Sequence, residues 1–321
     1  MSPSNPIISV APMMDWTDRH CRYFHRLIAP TITLYTEMVT TGALIHGDAD
    51  RFLRFSQAEH PLILQLGGND PADLATCTKM AADYGYDGVN LNCGCPSDRV
   101  QSGAFGAILM KDPALVRECV HAMKEASPLP ISVKCRIGVD DCCDHEFLNR
   151  FIEEVTQAGI QTFIIHARKA WLKGLSPKEN RDIPPLDYPL VRQMKDRYPA
   201  LDIQLNGGIK TLAQVSSLAK DFDGLMIGRE AYQNPWVLHD IEANLLDTQN
   251  LRSPRQVIEA MIPYCYEQQE KYGTPLKSIT RHMIGLFQGR PGARHWRQMI
   301  STQAHKPETK PEFLLDAMPA L

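Results

Sequence analysis

The residues with most chemical potential fall in three short groups. Asn206, Gly207, Gly208 and Ile209 form the first, and Gly228 with Arg229 forms the second. Glycine lets backbone N–H groups approach a phosphate closely, and a guanidinium adds positive potential, so the two groups predict a phosphate-bearing cofactor or substrate. The third group is spread over three apolar runs: Gln65, then Lys134 and Arg136 in alternation, then His166 followed by Arg168. Charge at the end of a buried strand is costly unless an anion or an electron-rich ring compensates it. Taken one at a time, these are glycine turns and strand ends that reach solvent. Converging from several strands, they describe a ligand site.

The elements that must position them repeat along the chain. Short β-branched or aliphatic runs at 7–11, 32–37, 61–66, 87–92, 130–135, 161–166, 201–205 and 223–227 predict eight strands. Their near-continuous apolarity suits parallel strands buried on both faces. Helical patterns at 71–84, 112–126, 144–158 and 211–220 lie between them. Eight strand–helix units predict an α/β fold closed as a (β/α)8 barrel, with its chemistry at the carboxyl ends of the strands and phosphate after strands 7 and 8. An open doubly wound sheet is the competing architecture, but APMMDWTD follows the first strand in place of a GxGxxG turn. The segments 93–111 and 167–187 are long loops at the functional end. Beyond about residue 250 only helical patterns remain, starting near Arg255 and Leu276 and interrupted by PGARH. The expected division is a barrel over 1–245 and a small helical domain over 246–321.

Composition agrees with an ordinary globular protein: 44% of the 321 residues are hydrophobic. Nine cysteines, two of them adjacent at Cys142 and Cys143, make a poor disulfide framework and predict reduced thiols. No leader pattern and no apolar run of bilayer length is visible, so the expected location is the cytoplasm, with no membrane partner. The formal net charge is −3, but residues 271–307 hold seven Lys or Arg and no Asp or Glu, leaving −10 for the rest. That asymmetry marks a separate basic surface.

Longer strings carry a more specific signal. APMMDWTDRHCR (11–22), LYTEMVTTGA (34–43), LQLGG (64–68), VNLNCGCPSDRVQSGAFGAILM (89–110), VKCRIGVDD (133–141), IIHARKAWLKGLSPKENRDIPPLDY (164–188), NGGI (206–209) and GREAYQNPW (228–236) are all present. Over about residues 8–240 the chain resembles the tRNA-dihydrouridine synthases, and the strings ending in PSDRV and KENR resemble the A-type branch, which modifies uridines 20 and 20a of the D loop.

The resemblance implies an FMN-binding catalytic barrel, a helical tRNA-binding domain, NADPH as electron donor and tRNA as partner. It implies Ala11, Pro12 and Met13 under the flavin, Gln65 at the pyrimidine edge, and Lys134 and His166 beside the ring. Phosphate falls to Asn206, Gly207, Gly208, Gly228 and Arg229, in agreement with the barrel argument. Cys95 matches the general acid and Asn92 helps position the base. Arg99, Arg168, Lys178, Arg181, Arg294 and Arg297 are the expected RNA contacts, and a monomer is the expected state. Cys93 departs from the family pattern; Cys-x-Cys alone lacks two ligands of a tetrahedral metal site, so no metal is expected.

This chemistry needs those groups. Saturating the C5=C6 bond of uracil takes a hydride at C6 and a proton at C5, and a thiol with an ordinary pKa of about 8.5 is protonated and able to supply the latter. Two rivals share part of the pattern. A flavin barrel acting on a free small molecule would not need the basic tail, and a non-catalytic RNA-binding module would not need Cys95, Lys134 and His166 together.

Overall fold

The computed structural model describes residues 6–97, 103–142 and 145–319. Among these, eight strands form one parallel sheet: β1 (Ile7–Val10), β2 (Leu34–Thr40), β3 (Leu62–Gly67), β4 (Gly88–Cys93), β5 (Ile131–Arg136), β6 (Thr162–His166), β7 (Asp202–Asn206) and β8 (Gly224–Ile227). The order is β1-β8-β7-β6-β5-β4-β3-β2. The ring closes where β1 meets the residue before β2: Val10 N–H donates to the Thr33 carbonyl at 3.0 Å, and Thr33 N–H to that of Ile8 at 2.9 Å. The chain is therefore a (β/α)8 barrel followed by helices.

Strand alternation separates two environments. Val89, Leu91 and Cys93 of β4, Val133 and Cys135 of β5, and Phe163 and Ile165 of β6 belong to the large core shared with the surrounding helices. The alternate residues point inward. Ala11, Tyr35, Ile164 and Met226 make a small apolar plug inside the barrel, joined by Met13 and Ile63. Polar inward residues therefore gather beside this plug at the carboxyl ends of the strands.

Local sequence explains the helices between strands. Asp70 caps Pro71–Tyr84 by accepting the Ala72 and Asp73 N–H groups, Pro71 stands where no amide partner is needed, and Gly85 ends it in the left-handed region. Strand 2 extends further than expected, to Thr40, because a bulge between Tyr35 and Met38 lets the strand resume pairing with β3.

After the last strand come Trp236–Asn244, Pro254–Tyr272, Leu276–Thr280, Ala293–Gln303 and Phe313–Asp316. The PGARH segment is the start of a further helix, with Gly292 at φ 78° preceding Ala293. Tyr264 of Pro254–Tyr272 stacks on Tyr23 of the first barrel helix, Arg19–Ile28, at 3.9 Å. No helix among the described residues is long and apolar enough to cross a membrane.

Candidate active site

The turn after β1 forms one wall. Ala11 N–H donates to the Ile227 carbonyl at 2.8 Å, which ties β1 to the end of β8. Pro12 and Met13 follow. Met13 N–H donates to Thr17 Oγ1 at 2.9 Å, and Thr17 N–H returns to the Met13 carbonyl at 2.9 Å.

Across the mouth, inward amides of β3, β4 and β5 form a relay. Asn90 Nδ2 donates to Ser132 Oγ at 2.9 Å, Gln65 Nε2 to Asn90 Oδ1 at 2.8 Å, and Asn92 Nδ2 to Gln65 Oε1 at 2.9 Å. The remaining oxygen of Asn92 accepts the N–H groups of Gly94 and Cys95, each at 3.0 Å. Asn92 thus shapes the turn that presents Cys95. The Cys95 thiol is half-buried, 3.7 Å from Ser97 Oγ. Cys93 lies on the opposite face, fully buried, and burial pushes its thiol well above the ordinary range. The register sets it beside Cys135, outside the barrel.

Lys134 is next to Asn92 in the sheet and donates to Asn206 Oδ1 at 3.0 Å. Burial, followed by the charge of Arg136, lowers its pKa to about 8. His166 pairs with Asn206 across β6 and β7. Burial, then Arg136, Lys134 and Arg168, hold its pKa well below the ordinary imidazole value, so the ring is neutral at pH 7. Its Nδ1 accepts the Arg168 backbone N–H at 3.2 Å. The neutral tautomer therefore carries its proton on Nε2.

Arg136 acts through backbone. Its Nε donates to the Gly94 carbonyl at 2.8 Å, and NH1 donates to the carbonyls of Lys169 and Asn180, both at 3.1 Å. One side chain thus joins the Cys95 turn to the long loop after β6. Asn180, fully buried, organises that loop: its oxygen accepts Trp171 N–H at 2.7 Å and its nitrogen reaches the Trp171 carbonyl at 2.9 Å. Asn180 carries no sequence signal of its own beyond its place in the KENR string.

The phosphate end is built by β7 and β8. Gly207 and Gly208 have φ of 112° and 74°, a region only glycine adopts freely. A Cβ on Gly208 would sit 2.4 Å from Leu186 Cδ1, whereas one on Gly228 would enter open space. Tyr188 Oη donates to the Gly207 carbonyl at 2.6 Å. Arg229 is turned to Asp182, donating at 2.7 Å, and to the Arg181 carbonyl at 3.3 Å. Nearby, among the described residues, Arg168 has two buried guanidinium nitrogens, Nε and NH1, without a partner.

The structure thus gathers Ala11, Met13, Gln65, Asn92, Cys95, Lys134, His166 and Asn206 around one mouth, flanked by Gly207, Gly208 and Gly228. Lys178 and Arg181 are exposed on the loop after β6, and the Arg181 carbonyl accepts from Arg229. Arg294 and Arg297 lie apart in sequence, on Ala293–Gln303, one turn from each other; Arg297 donates to Gln288 Oε1 at 3.0 Å. Arg99 lies outside the described residues. Among the described residues no group of three or more His, Cys, Asp or Glu side chains is arranged to hold a metal.

Two solved reductase structures share the architecture. A 2-naphthoyl-CoA reductase complex superposes with a TM-score of 0.56 at 10% identity over 74% of this chain and 49% of its own. Morphinone reductase does so with 0.53 at 13% identity over 79% and 93%. These similarities show the fold alone. Sequence comparison is far more specific. The tRNA-dihydrouridine(20/20a) synthase of Vibrio vulnificus is 56% identical over 313 residues, covering 97% of this chain and 95% of its own. The enzyme of the same name from Shewanella oneidensis is 58% identical over 299 residues, with coverages of 93% and 89%. That of Escherichia coli is 56% identical over 300 residues, with coverages of 93% and 86%. The family model for dihydrouridine synthase matches residues 9–320. The chain belongs to the dihydrouridine synthase family.

Proposed function

We propose that this chain reduces the C5=C6 bond of uridines 20 and 20a in the tRNA D loop, with NADPH as the electron source. Membership in the family makes it an FMN-dependent oxidoreductase acting on uridine in tRNA. The positional reading rests on the 56% identity to the tRNA-dihydrouridine(20/20a) synthase of Vibrio vulnificus, and the observation that carries the chemistry is the Cys95 turn, held by Asn92 beside Lys134, with a neutral His166 two strands away.

The residues fit FMN. The unpartnered nitrogens of Arg168, the open face of Gly228 and the left-handed Gly207 and Gly208 suit a phosphate, and the Lys134 cation suits the electron-rich edge of a flavin. Ala11, Pro12, Met13, Gln65, His166 and Asn206 would complete its site, and Arg229 would join once released from Asp182. Bound there, FMN supplies the reducing equivalent for uracil C6.

The chain's own groups do the rest. Cys95 gives the proton: its S–H bond breaks as the C5–H bond forms. His166 offers Nε2–H to an acceptor in the mouth without donating charge. Turning a uridine out of folded RNA costs roughly a few kcal/mol. Contacts from Lys178, Arg181, Arg294 and Arg297, with Arg99 beyond the described segment, offset it. In this reading residues 1–245 are catalytic, 246–321 grip tRNA, and a monomer works in the cytoplasm.

The test is to incubate the FMN-loaded protein and NADPH with unmodified tRNA and locate dihydrouridine at nucleotide resolution. Product at 20 and 20a is expected. Product elsewhere overturns the positional assignment, and no product overturns the reading.

A further inference from the structure

A partly buried polar junction joins the turn beside the barrel mouth to the C-terminal helices, and Asp18 is its centre. One carboxylate oxygen caps Arg19–Ile28, accepting the N–H groups of His20 and Cys21 at 3.0 Å. The other accepts from the Arg281 guanidinium at 2.8 Å and lies 3.0 Å from His282 Nε2. His282 is 1% exposed, and the Tyr232 ring meets it edge-on. Trp16 in turn stacks on Tyr232 at 4.4 Å. Burial alone would raise the Asp18 carboxyl, but the hydrogen bond and charge of His282, with His20, hold it below the ordinary range.

Hydrogen-bonded links run from this junction in both directions. Toward the chemistry, Thr17 precedes Asp18 and is doubly bonded to Met13. Toward the tail, Met283 follows His282, and its carbonyl accepts the Trp296 Nε1–H at 2.9 Å. Trp296 is fully buried and lies between Arg294 and Arg297 on the same helix. The position of these two arginines relative to Met13 is thus set through the Asp18 junction.

Every uridine presents the same base, so the pocket that reduces it has no means of choosing among neighbouring uridines. The choice has to come from where the rest of the tRNA is held, since backbone contacts fix register. We propose that the Asp18–Arg281–His282 junction is a positioning element that determines which uridine reaches the mouth, by fixing the arginine-bearing helix relative to the Met13 turn. This inference rests on the uridine reduction proposed above.

Asp18→Asn keeps an oxygen to cap the helix but removes the charge. Arg281→Gln alters the partly exposed partner and serves where the first variant folds poorly. In both, FMN content and flavin reduction by NADPH are expected to match the parent enzyme, because Asp18 and Arg281 touch neither. Nucleotide-resolved mapping should show the preference for target over other D-loop uridines falling by about tenfold or more, within the range a remote misplacement of 1 Å produces, with KM for tRNA raised. A uniform loss of yield with the same positional pattern, or no change at all, in both variants overturns the proposal. A parent enzyme that makes no dihydrouridine in tRNA overturns instead the reading beneath it.

Discussion

The Lys134 ammonium donates to the Asn206 carboxamide oxygen at 3.0 Å inside the barrel mouth, so a half-buried cation is held there by a neutral amide. Burial and Arg136 bring its pKa to about 8. An electron-rich ligand beside it favours the protonated form. FMN affinity should therefore fall as pH rises through about 8, by up to about tenfold per pH unit, and the dependence should vanish in Lys134→Met. The ligand-free protein has the opposite sign. With the folded pKa below the ordinary value of 10.5, the unfolded chain binds the extra proton between the two, and stability from this group rises from pH 8 to 10.5. Flavin titrations and thermal melts across this range check both; a flat affinity in the parent protein refutes the first.

Arg168 should matter more than Arg229 for holding the cofactor's phosphate. The two nitrogens of Arg168 are buried without partners, while Arg229 already has Asp182. Loss of a charge-assisted hydrogen bond costs about 1.5–3 kcal/mol, so Arg168→Ala should weaken FMN binding by roughly 10- to 100-fold. Arg229→Ala should weaken it less, because part of its interaction with Asp182 is given up on binding. Equal FMN dissociation constants for Arg168→Ala and the parent would return the phosphate to Arg229.

Much of this site is legible in sequence for a simple reason. A polar residue inside an apolar strand has to face a ligand or a partner, and Gln65, Lys134 and His166 stand out on that ground. The glycines at 207, 208 and 228 stand out because a close approach needs them. What is hidden is anything made by distant backbone. Arg136 reads as another charge in the mouth, yet its partners are carbonyls 42, 33 and 44 residues away. Likewise Arg168 and Arg229 are equivalent as letters, and only the position of Asp182 separates them. The Asp18 junction spans 263 and 264 residues, beyond the reach of any local pattern. The tautomer of His166 also depends on folding, through the Arg168 amide.

Cys95 and Cys93 offer an internal comparison. Only Cys95 sits on the turn that Asn92 shapes at the mouth; Cys93 is sealed outside the barrel beside Cys135. Cys95→Ala should leave FMN binding and flavin reduction by NADPH intact while slowing dihydrouridine formation by about 10²- to 10⁴-fold. Cys93→Ala should leave catalysis near the parent rate, at a modest cost in stability from the lost buried thiol. Anaerobic stopped-flow traces of reduced enzyme with unmodified tRNA separate the two steps. A full defect in Cys93→Ala, or none in Cys95→Ala, means that another group gives the proton.

The basic tail should act through phosphates, and salt is the means of testing it. Residues 271–307 hold seven Lys or Arg and no Asp or Glu, while the rest of the chain is net acidic. Arg294 and Arg297 project from one helix whose Trp296 is buried against Met283, so they are presented on a fixed platform. Each phosphate contact releases counterions, and its loss lowers the slope of log affinity against log salt by about 0.7 to 0.9. The double variant Arg294→Glu, Arg297→Glu should raise the tRNA dissociation constant and flatten that slope by between one and two such steps. Flavin reduction by NADPH without RNA should stay unchanged, because neither side chain is part of the mouth. Filter binding at several salt concentrations gives the slope directly. If affinity and slope both match the parent protein at physiological salt, these two arginines make no phosphate contact, and the grip must be sought among Lys178, Arg181 and the remaining basic residues.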